Sequence, residues 1–330
     1  MLQLEESTLP LLKKSKNLLA FSAGVDSSAL FFLLLEYDIS FDIALVNYKL
    51  RKEADEEALH AIRLAKKYNL QVYTIEAPSF KSNFEKNARD FRYTFFNKLI
   101  QEHGYKTLIT AHQLNDQLEW FLMRLTKGAG TNELLGLAPI SKKQTHTLLR
   151  PLLQHAKEDL LNYLKIYNYP YFIDLSNQDE KYERNHFRKE FSDKLIENYK
   201  KGIQRSFNYL REDKNYISEN FHELFHEKEF YLLKIDTPKV IVRTIDQYLK
   251  KLGYLLSAAQ RASLNESTSM VIGGLWAIEI VQTKIFIAPY KQSVMPKKFK
   301  ESCRVLKIPS KVRSYLYEES IDIKALSLSF

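Results

Sequence analysis

Between residues 17 and 125, short apolar runs with β character alternate with longer stretches of helical period, and no other feature restricts the chain as much. Asn17-Leu18-Leu19-Ala20-Phe21 predicts a short buried strand, and residues 27–37 predict a helix. Ile43-Ala44-Leu45-Val46-Asn47 predicts a second strand, and residues 55–68 a long helix with Ala58, Ile62 and Ala65 on one face. A third strand is expected at 71–75, a helix at 84–102, a fourth strand at 107–111 and a helix at 115–125. Strands alternating with helices need right-handed crossovers, which gives an α/β fold with a parallel sheet covered on both faces. Such sheets bind ligands outside the carboxyl ends of their strands. The chemistry is therefore expected at residues 22–27, 47–51 and 110–119.

The second half reads differently. Residues 186–229 are polar and helical in period. Beyond Phe230 a helix near 239–252 mixes with β-like runs such as Trp276–Val281 and 284–288, which predicts a smaller helical or α+β domain. A chain of 330 residues suggests two domains, placed here at 1–195 and 196–330. The longest apolar run, Ala29 through Leu35, falls well short of the ~20 residues of a membrane span, and Glu5, Glu6 and Pro10 suit no signal peptide. A cytoplasmic protein without membrane contact is expected, its oligomeric state open, a homodimer included. Cys303 is the only cysteine, which excludes an internal disulfide, a cysteine zinc site and a CxxC redox pair. Forty-nine Lys and Arg stand against 40 Asp and Glu. The excess clusters near the C-terminus, at Lys291, Lys297, Lys298, Lys300, Arg304, Lys307, Lys311 and Arg313, opposed locally by Glu301. That cluster reads equally as a solvated face or as a contact for nucleic acid.

The sharpest local signal is Ser22-Ala23-Gly24-Val25-Asp26-Ser27-Ser28, between the first strand and the first helix. Small residues let the backbone turn tightly and approach an anion. The free N–H groups of the helix that follows then favour phosphate, and the serines add hydroxyl donors. Asp26 is no phosphate ligand, but it suits a magnesium ion or the orientation of the loop. A plain helix cap of small polar residues is the alternative. Neither GxxxxGK[ST] nor GxGxxG is present, which disfavours γ-phosphate transfer and dinucleotide binding.

This segment resembles the SGGxDS loop of the N-type ATP pyrophosphatase (PP-loop) superfamily, with Ala23 at the second glycine. Further stretches resemble the tRNA(Ile)-lysidine synthetases within it. Leu45-Val46-Asn47-Tyr48-Lys49-Leu50-Arg51 is similar to HVNHxLR, with Tyr48 for histidine, and the run Phe84 through Tyr93 to ExxARxxRY. Thr110-Ala111-His112-Gln113-Leu114-Asn115-Asp116-Gln117-Leu118-Glu119 is similar to TAHHxDDQxET, departing at Gln113, Asn115 and the following Trp120. Lys127-Gly128-Ala129-Gly130 with Gly136-Leu137, then Arg150-Pro151-Leu152-Leu153, Asp174, Ser176-Asn177 and Arg184-Asn185-His186-Phe187-Arg188 complete the series in register.

The resemblance implies a Rossmann-like fold of the adenine nucleotide alpha hydrolase type, with ATP bound by Ser22, Ala23, Gly24, Val25, Asp26 and Ser27. It also implies the reaction: ATP adenylates the C2 oxygen of cytidine 34 in a tRNA(Ile) with a CAU anticodon, and free L-lysine displaces AMP to leave lysidine. Mg²⁺ is expected on Asp26, neutralising the departing pyrophosphate. His112, Asp116 and Glu119 fall at i, i+4 and i+7, one helical face, with Leu118, Phe121, Leu122 and Leu125 toward the core. Arg92, Asp116 and Glu119 are implied to bind lysine, one carboxylate taking a proton from an amine whose ordinary pKa is ~10.4. Arg184, Asn185 and Arg188 suit ATP phosphates, the tRNA backbone or a surface salt-bridge cluster; Lys127 can reach the nucleotide from its Gly-flanked loop. Two other readings stay open: a different AMP-forming ligase of the superfamily, and a tRNA-binding relative without chemistry.

Overall fold

The computed structural model describes residues 2–49, 53–80, 82–173 and 183–326. Its contacts divide the chain into two units, Met1–Leu210 and Arg211–Phe330. The first contains α1 (Leu9–Lys14), β1 (Asn17–Ala20), α2 (Val25–Glu36), β2 (Phe41–Asn47), α3 (Glu53–Tyr68), β3 (Val72–Glu76), α4 (Phe84–His103) and β4 (Thr107–Ile109). There follow α5 (Leu114–Leu125), α6 (Thr131–Leu134), β5 (Ile140–Lys142), β6 (Thr147–Leu149), α7 (Lys157–Ile166) and α8 (Glu183–Phe187). A π-helical turn, Arg188–Ser192, then leads into α9 (Asp193–Glu219), which runs on past the division.

The strand order is β3-β2-β1-β4-β6-β5. All neighbours pair in parallel except the edge strand β5, which is antiparallel to β6. Asn17 lies opposite both Phe41 and Thr107, so β1 is central. Its buried side chain donates to Leu12 O at 2.8 Å and Ser40 O at 2.7 Å, and accepts from Thr107 Oγ1 at 2.5 Å. The chain adds β2 and β3 on one side of β1, then returns to add β4 on the other. The order therefore reverses between β1 and β4, and a crevice opens at their carboxyl ends.

Helix α2 is buried at every residue from Ser27 to Leu34, as a helix apolar all round must be. The Phe31 ring contacts those of Phe21, Phe32, Phe41 and Tyr68, and Tyr169 stacks on Phe32 at 3.8 Å. Two helix faces differ from expectation. On α3 the buried stripe is Ala61, Leu64 and Ala65, while Ile62 is 43 % exposed. At ~100° per residue Ile62 points to the flank of that stripe. On α5, Leu118 is buried, but Leu125, the last residue of the helix, is 52 % exposed.

The division at Leu210 lies beyond the boundary expected at 195. Ile196 and Phe207 of α9 are buried against Leu114, Leu118 and Ala156, so the start of that helix packs with the first unit.

The second unit takes the end of α9, then β7 (Phe221–Glu227), β8 (Phe230–Ile235), α10 (Ile241–Lys251), α11 (Ala258–Glu266), β9 (Ser269–Ile272), β10 (Trp276–Val281), β11 (Lys284–Pro289), α12 (Lys297–Val305) and α13 (Arg313–Glu318). The sheet is antiparallel in the order β7-β8-β11-β10-β9. Alternation along β8 sends Tyr231, Leu233 and Ile235 to one core with α10 and α11, and Phe230 and Leu232 to another with Cys303 and α13. The helical period expected through 229 fails at Phe221. An irregularity between Glu223 and Phe225 breaks the alternation of β7 and hides the strand in the sequence. In the basic cluster, Arg304 pairs with Glu301 at 2.8 Å, Arg313 donates to Ile308 O and Lys311 contacts Ser269 Oγ, while five lysines remain exposed. Among the described residues no helix is long and apolar enough to cross a membrane.

The packing of α2 sets a test. Phe31→Ala should cost about 3–5 kcal/mol, and Ile62→Ala on the outer flank of α3 under about 1 kcal/mol. Urea midpoints for the two variants compare them directly. Equal losses would contradict the assigned faces.

Candidate active site

Beyond β1 the chain enters the loop at Ser22. Ala23 has φ +58°, a left-handed conformation that costs an L residue ~1–2 kcal/mol, and its fully buried methyl offsets part of that. Phe172 N–H donates to Ala23 O at 2.9 Å, which pins the turn. Gly24 is the N-cap of α2 in extended backbone. Ser27 Oγ accepts from Ser22 N–H at 3.2 Å and donates to Gly24 O at 3.2 Å, and Ser28 Oγ donates to Ala23 O at 3.1 Å. The serine hydroxyls thus shape the loop, and no side chain caps the first turn of α2. Its N–H groups remain for an anion, as the sequence predicts.

Asp26 stands in that first turn. Its Oδ1 is buried and has no hydrogen-bond partner. Burial first, and the like charge of Asp116 second, push its carboxyl up to about 7, against the pull of Lys157 and Arg188. An orphaned carboxylate oxygen beside another carboxylate suits a cation. Among the described residues no three metal-ligating side chains converge, so the fit is to an ion shared with phosphate oxygens rather than a protein cage.

Across the crevice, β4 leads to α5. Gln113 caps that helix: Asn115 N–H donates to Gln113 Oε1 at 2.5 Å, and Gln113 N–H donates to Asp116 Oδ2 at 3.1 Å. The cap fixes one Asp116 oxygen and turns the other outward. Asp116 Oδ1 meets Arg184 Nη2 at 3.2 Å and Arg188 Nη2 at 3.1 Å. Glu119, 2 % exposed, takes Arg184 Nε on one oxygen and Arg188 Nε at 2.9 Å on the other. Each guanidinium therefore bridges both carboxylates. Burial alone would raise the Asp116 carboxyl, but the charges of Arg184 and Arg188 and the Gln113 N–H outweigh it and hold it below the ordinary range. His112 sits just before the helix with Nδ1 2.9 Å from Thr110 Oγ1. Burial, with Arg150, Arg184 and Arg89, drives its pKa well down despite Asp116, so the ring is neutral at physiological pH.

The structure thus brings Asp26, His112, Asp116, Glu119, Arg184 and Arg188 together. Two arginines occupy the Asp116 and Glu119 oxygens, the salt-bridge cluster that the sequence left as one alternative for Arg184 and Arg188. Among the described residues Arg92 makes no contact with this lattice. It lies beside the Tyr48 hydroxyl, which donates to Ala88 O at 3.1 Å. Lys127 pairs with Glu183 at 2.8 Å on the surface, and Asn185 is half-buried on α8. Arg51, Asp174, Ser176 and Asn177 lie outside the described residues. Two cations near the site escaped the sequence reading: Arg89, whose charge reaches His112, and Lys157, whose charge reaches Asp26. Lys157 follows the Arg150-Pro151-Leu152-Leu153 run, and its N–H donates to Asn115 Oδ1 at 3.2 Å. Only the joining of that segment to α5 could have singled it out.

Trp120 explains a neighbouring glycine. Its Nε1 donates to Glu133 O at 2.6 Å, and a Cβ on Gly136 would collide with the indole.

The Asp26 carboxyl predicts a pH dependence. Its pKa is near 3.8 unfolded and about 7 folded, so across that window the native state holds more protons and stability falls as pH rises. Asp26→Asn should raise the melting temperature at pH 8 and leave it unchanged at pH 4, read by thermal denaturation. A gain confined to low pH would contradict the assignment.

Residues 2–195 match the family profile described as the PP-loop domain. The tRNA(Ile)-lysidine synthase of Campylobacter jejuni strain RM1221 is 46 % identical over 99 % of this chain and 100 % of its own length. That of Helicobacter pylori strain 26695 is 42 % identical over 93 % and 91 % respectively. Among solved structures, the U34-tRNA thiolase NcsA from Methanococcus maripaludis aligns with a TM-score of 0.51 at 19 % identity, covering 62 % of this chain and 74 % of that one, a likeness of fold. The orphaned Asp26 oxygen over an uncapped helix, the paired carboxylates opposite and the extent of these matches agree: the chain belongs to the tRNA(Ile)-lysidine synthase family and carries its PP-loop domain.

Proposed function

We propose that the protein uses ATP to attach L-lysine to cytidine 34 of a tRNA(Ile) bearing the CAU anticodon, releasing AMP and pyrophosphate and changing codon reading from AUG to AUA. The observation that carries this reading is the juxtaposition, at the β1–β4 crevice, of the anion-ready turn at Asp26 with the buried pair Asp116 and Glu119.

Two steps follow from the chemistry. The C2 oxygen of cytosine is a urea-like oxygen and a poor leaving group. It attacks the α-phosphorus of ATP, the bond to the β-phosphate oxygen breaks, and pyrophosphate departs. The lysine side-chain amine then attacks C2, the C2–O bond breaks and AMP leaves with its oxygen. The N–H groups at the start of α2 hold the phosphates, with Ser22 and Ser27 shaping the turn. Asp26 would hold Mg²⁺ through Oδ1, which supplies charge neutralisation for the departing pyrophosphate.

The amine reaches the site protonated and must lose a proton before it attacks. Asp116 is ionised and oriented by its helix cap, so it pairs with the ammonium. Glu119, whose carboxyl burial raises against the pull of the two arginines, is the better proton acceptor of the pair, while His112, its basicity driven well down, stays neutral. Arg184 and Arg188 hold the Asp116 carboxyl down and pull against the burial that raises Glu119, and one guanidinium arm has to release an oxygen as the ammonium arrives. Arg92, held by Tyr48 on α4, can take the lysine carboxylate in a bidentate contact.

Purified protein with ATP, Mg²⁺, labelled lysine and a CAU isoleucine tRNA should release AMP only when lysine and that tRNA are both present, and the label should appear in the RNA. Equal labelling of CAU methionine tRNAs would overturn the specificity. Asp116→Asn should raise the KM for lysine roughly ten- to a hundredfold, the worth of one charge-assisted hydrogen bond, and move the Kd for ATP about threefold at most. Parallel loss of both would remove the assigned role.

A further inference from the structure

Away from the crevice, the first unit carries a hollow of about 460 Å³ lined by Gln154, Lys201, Gln204, Arg205 and Asn208. Positions 201, 204, 205 and 208 follow i, i+3, i+4, i+7 and form one stripe of α9. The neighbouring face, at Ile196, Ile203 and Phe207, packs toward α5. Two hydrogen bonds close the hollow: Gln154 Nε2 donates to Asn208 Oδ1 at 2.8 Å, and Gln204 Nε2 donates to Gln154 O at 2.6 Å. Each uses one end of a glutamine amide. Among the described residues, Gln154 Oε1 and Gln204 Oε1 keep their acceptor capacity.

The cations here differ from those beside them. Lys194 pairs with Glu190 and Lys200 with Asp159, whereas exposed Lys201 and Arg205 make no ion pair among the described residues. No carboxylate lines the hollow. Tyr209, one turn beyond Arg205, is 62 % exposed. Two unopposed cations, free amide acceptors and an open aromatic ring are the groups that bind phosphate, ribose 2′-hydroxyl and an unstacked base. The hollow is also tied to the crevice. Leu152 bridges to Gln113, the cap of α5, and three residues after Gln154 comes Lys157, whose charge reaches Asp26.

We propose that this hollow holds a stretch of the sugar–phosphate backbone of the RNA substrate outside the crevice, with Lys201 and Arg205 on two phosphates, the amides of Gln154 and Gln204 on ribose hydroxyls, and Tyr209 against a base. The inference rests on the function proposed above and adds the surface that presents the RNA.

The test is binding of a CAU isoleucine tRNA to the full-length protein across a salt series. Lys201→Ala with Arg205→Ala should weaken binding about ten- to a hundredfold at low salt and flatten the slope of log K against log salt by about 1.4–1.8, the release expected from two phosphate contacts. The KM for tRNA should rise, while kcat at saturating tRNA and the KM for ATP stay within about twofold. The charge-keeping pair Lys201→Arg with Arg205→Lys should bind within about threefold of the parent protein. Tyr209→Ala should weaken binding with no change of slope, since stacking releases no counterions. An unchanged affinity and slope in the double alanine variant would refute the surface alone, with the reaction intact. Failure of the unaltered protein to bind or label the tRNA would overturn the function and this surface together.

Discussion

Strand β1 pairs in parallel with β2 on one side and β4 on the other, and the site depends on that double pairing. A strand with parallel neighbours on both edges delivers its carboxyl end to the point where the chain's two directions of winding meet. Helices α2 and α5 begin there, the first uncapped and the second capped by Gln113, each with a carboxylate in its first turn, Asp26 and Asp116. Asn17 anchors the arrangement from below by bonding to both flanking segments. Catalytic geometry is here a property of sheet order before it is a property of any side chain.

The electrostatics follow from the same convergence. Two carboxylates brought together in a partly buried place repel, and the protein resolves this in two ways. Asp26 takes up a proton near neutrality and keeps an oxygen unsatisfied, while Asp116 and Glu119 are compensated by Arg184 and Arg188. The π-helical turn at Arg188–Ser192 begins where the second guanidinium must reach the same pair as the first. One group of charges stays uncompensated beside the uncapped first turn of α2, and the other is already neutral overall.

Much of this was legible in the residues. Alternating periods of two and 3.6 marked the parallel sheet, and the crowding of small residues at 22–28 marked the turn, because both are local consequences of backbone geometry. Spacing placed Asp116 and Glu119 on one side of α5, whereas His112, read onto the same face, lies before that helix begins. What spacing could not supply was their company. Arg184 and Arg188 are separated from them by more than sixty residues, and only the folded chain returns them to α5. Lys157 was hidden for the same reason. Strand β7 escaped because its irregularity breaks the alternation by which strands are recognised, and the faces of α3 slipped because one residue of phase separates Ala61 from Ile62.

The contact between Trp120 and Gly136 has a consequence for how such a chain can change over time. The indole fills the space any side chain at 136 would need, and its N–H is tied to Glu133 of α6, just before that position. Substitutions at the two positions are therefore epistatic and ordered. Position 136 stays closed to every residue with a Cβ until position 120 has first become smaller, so a lineage that has acquired the tryptophan is ratcheted into keeping its glycine.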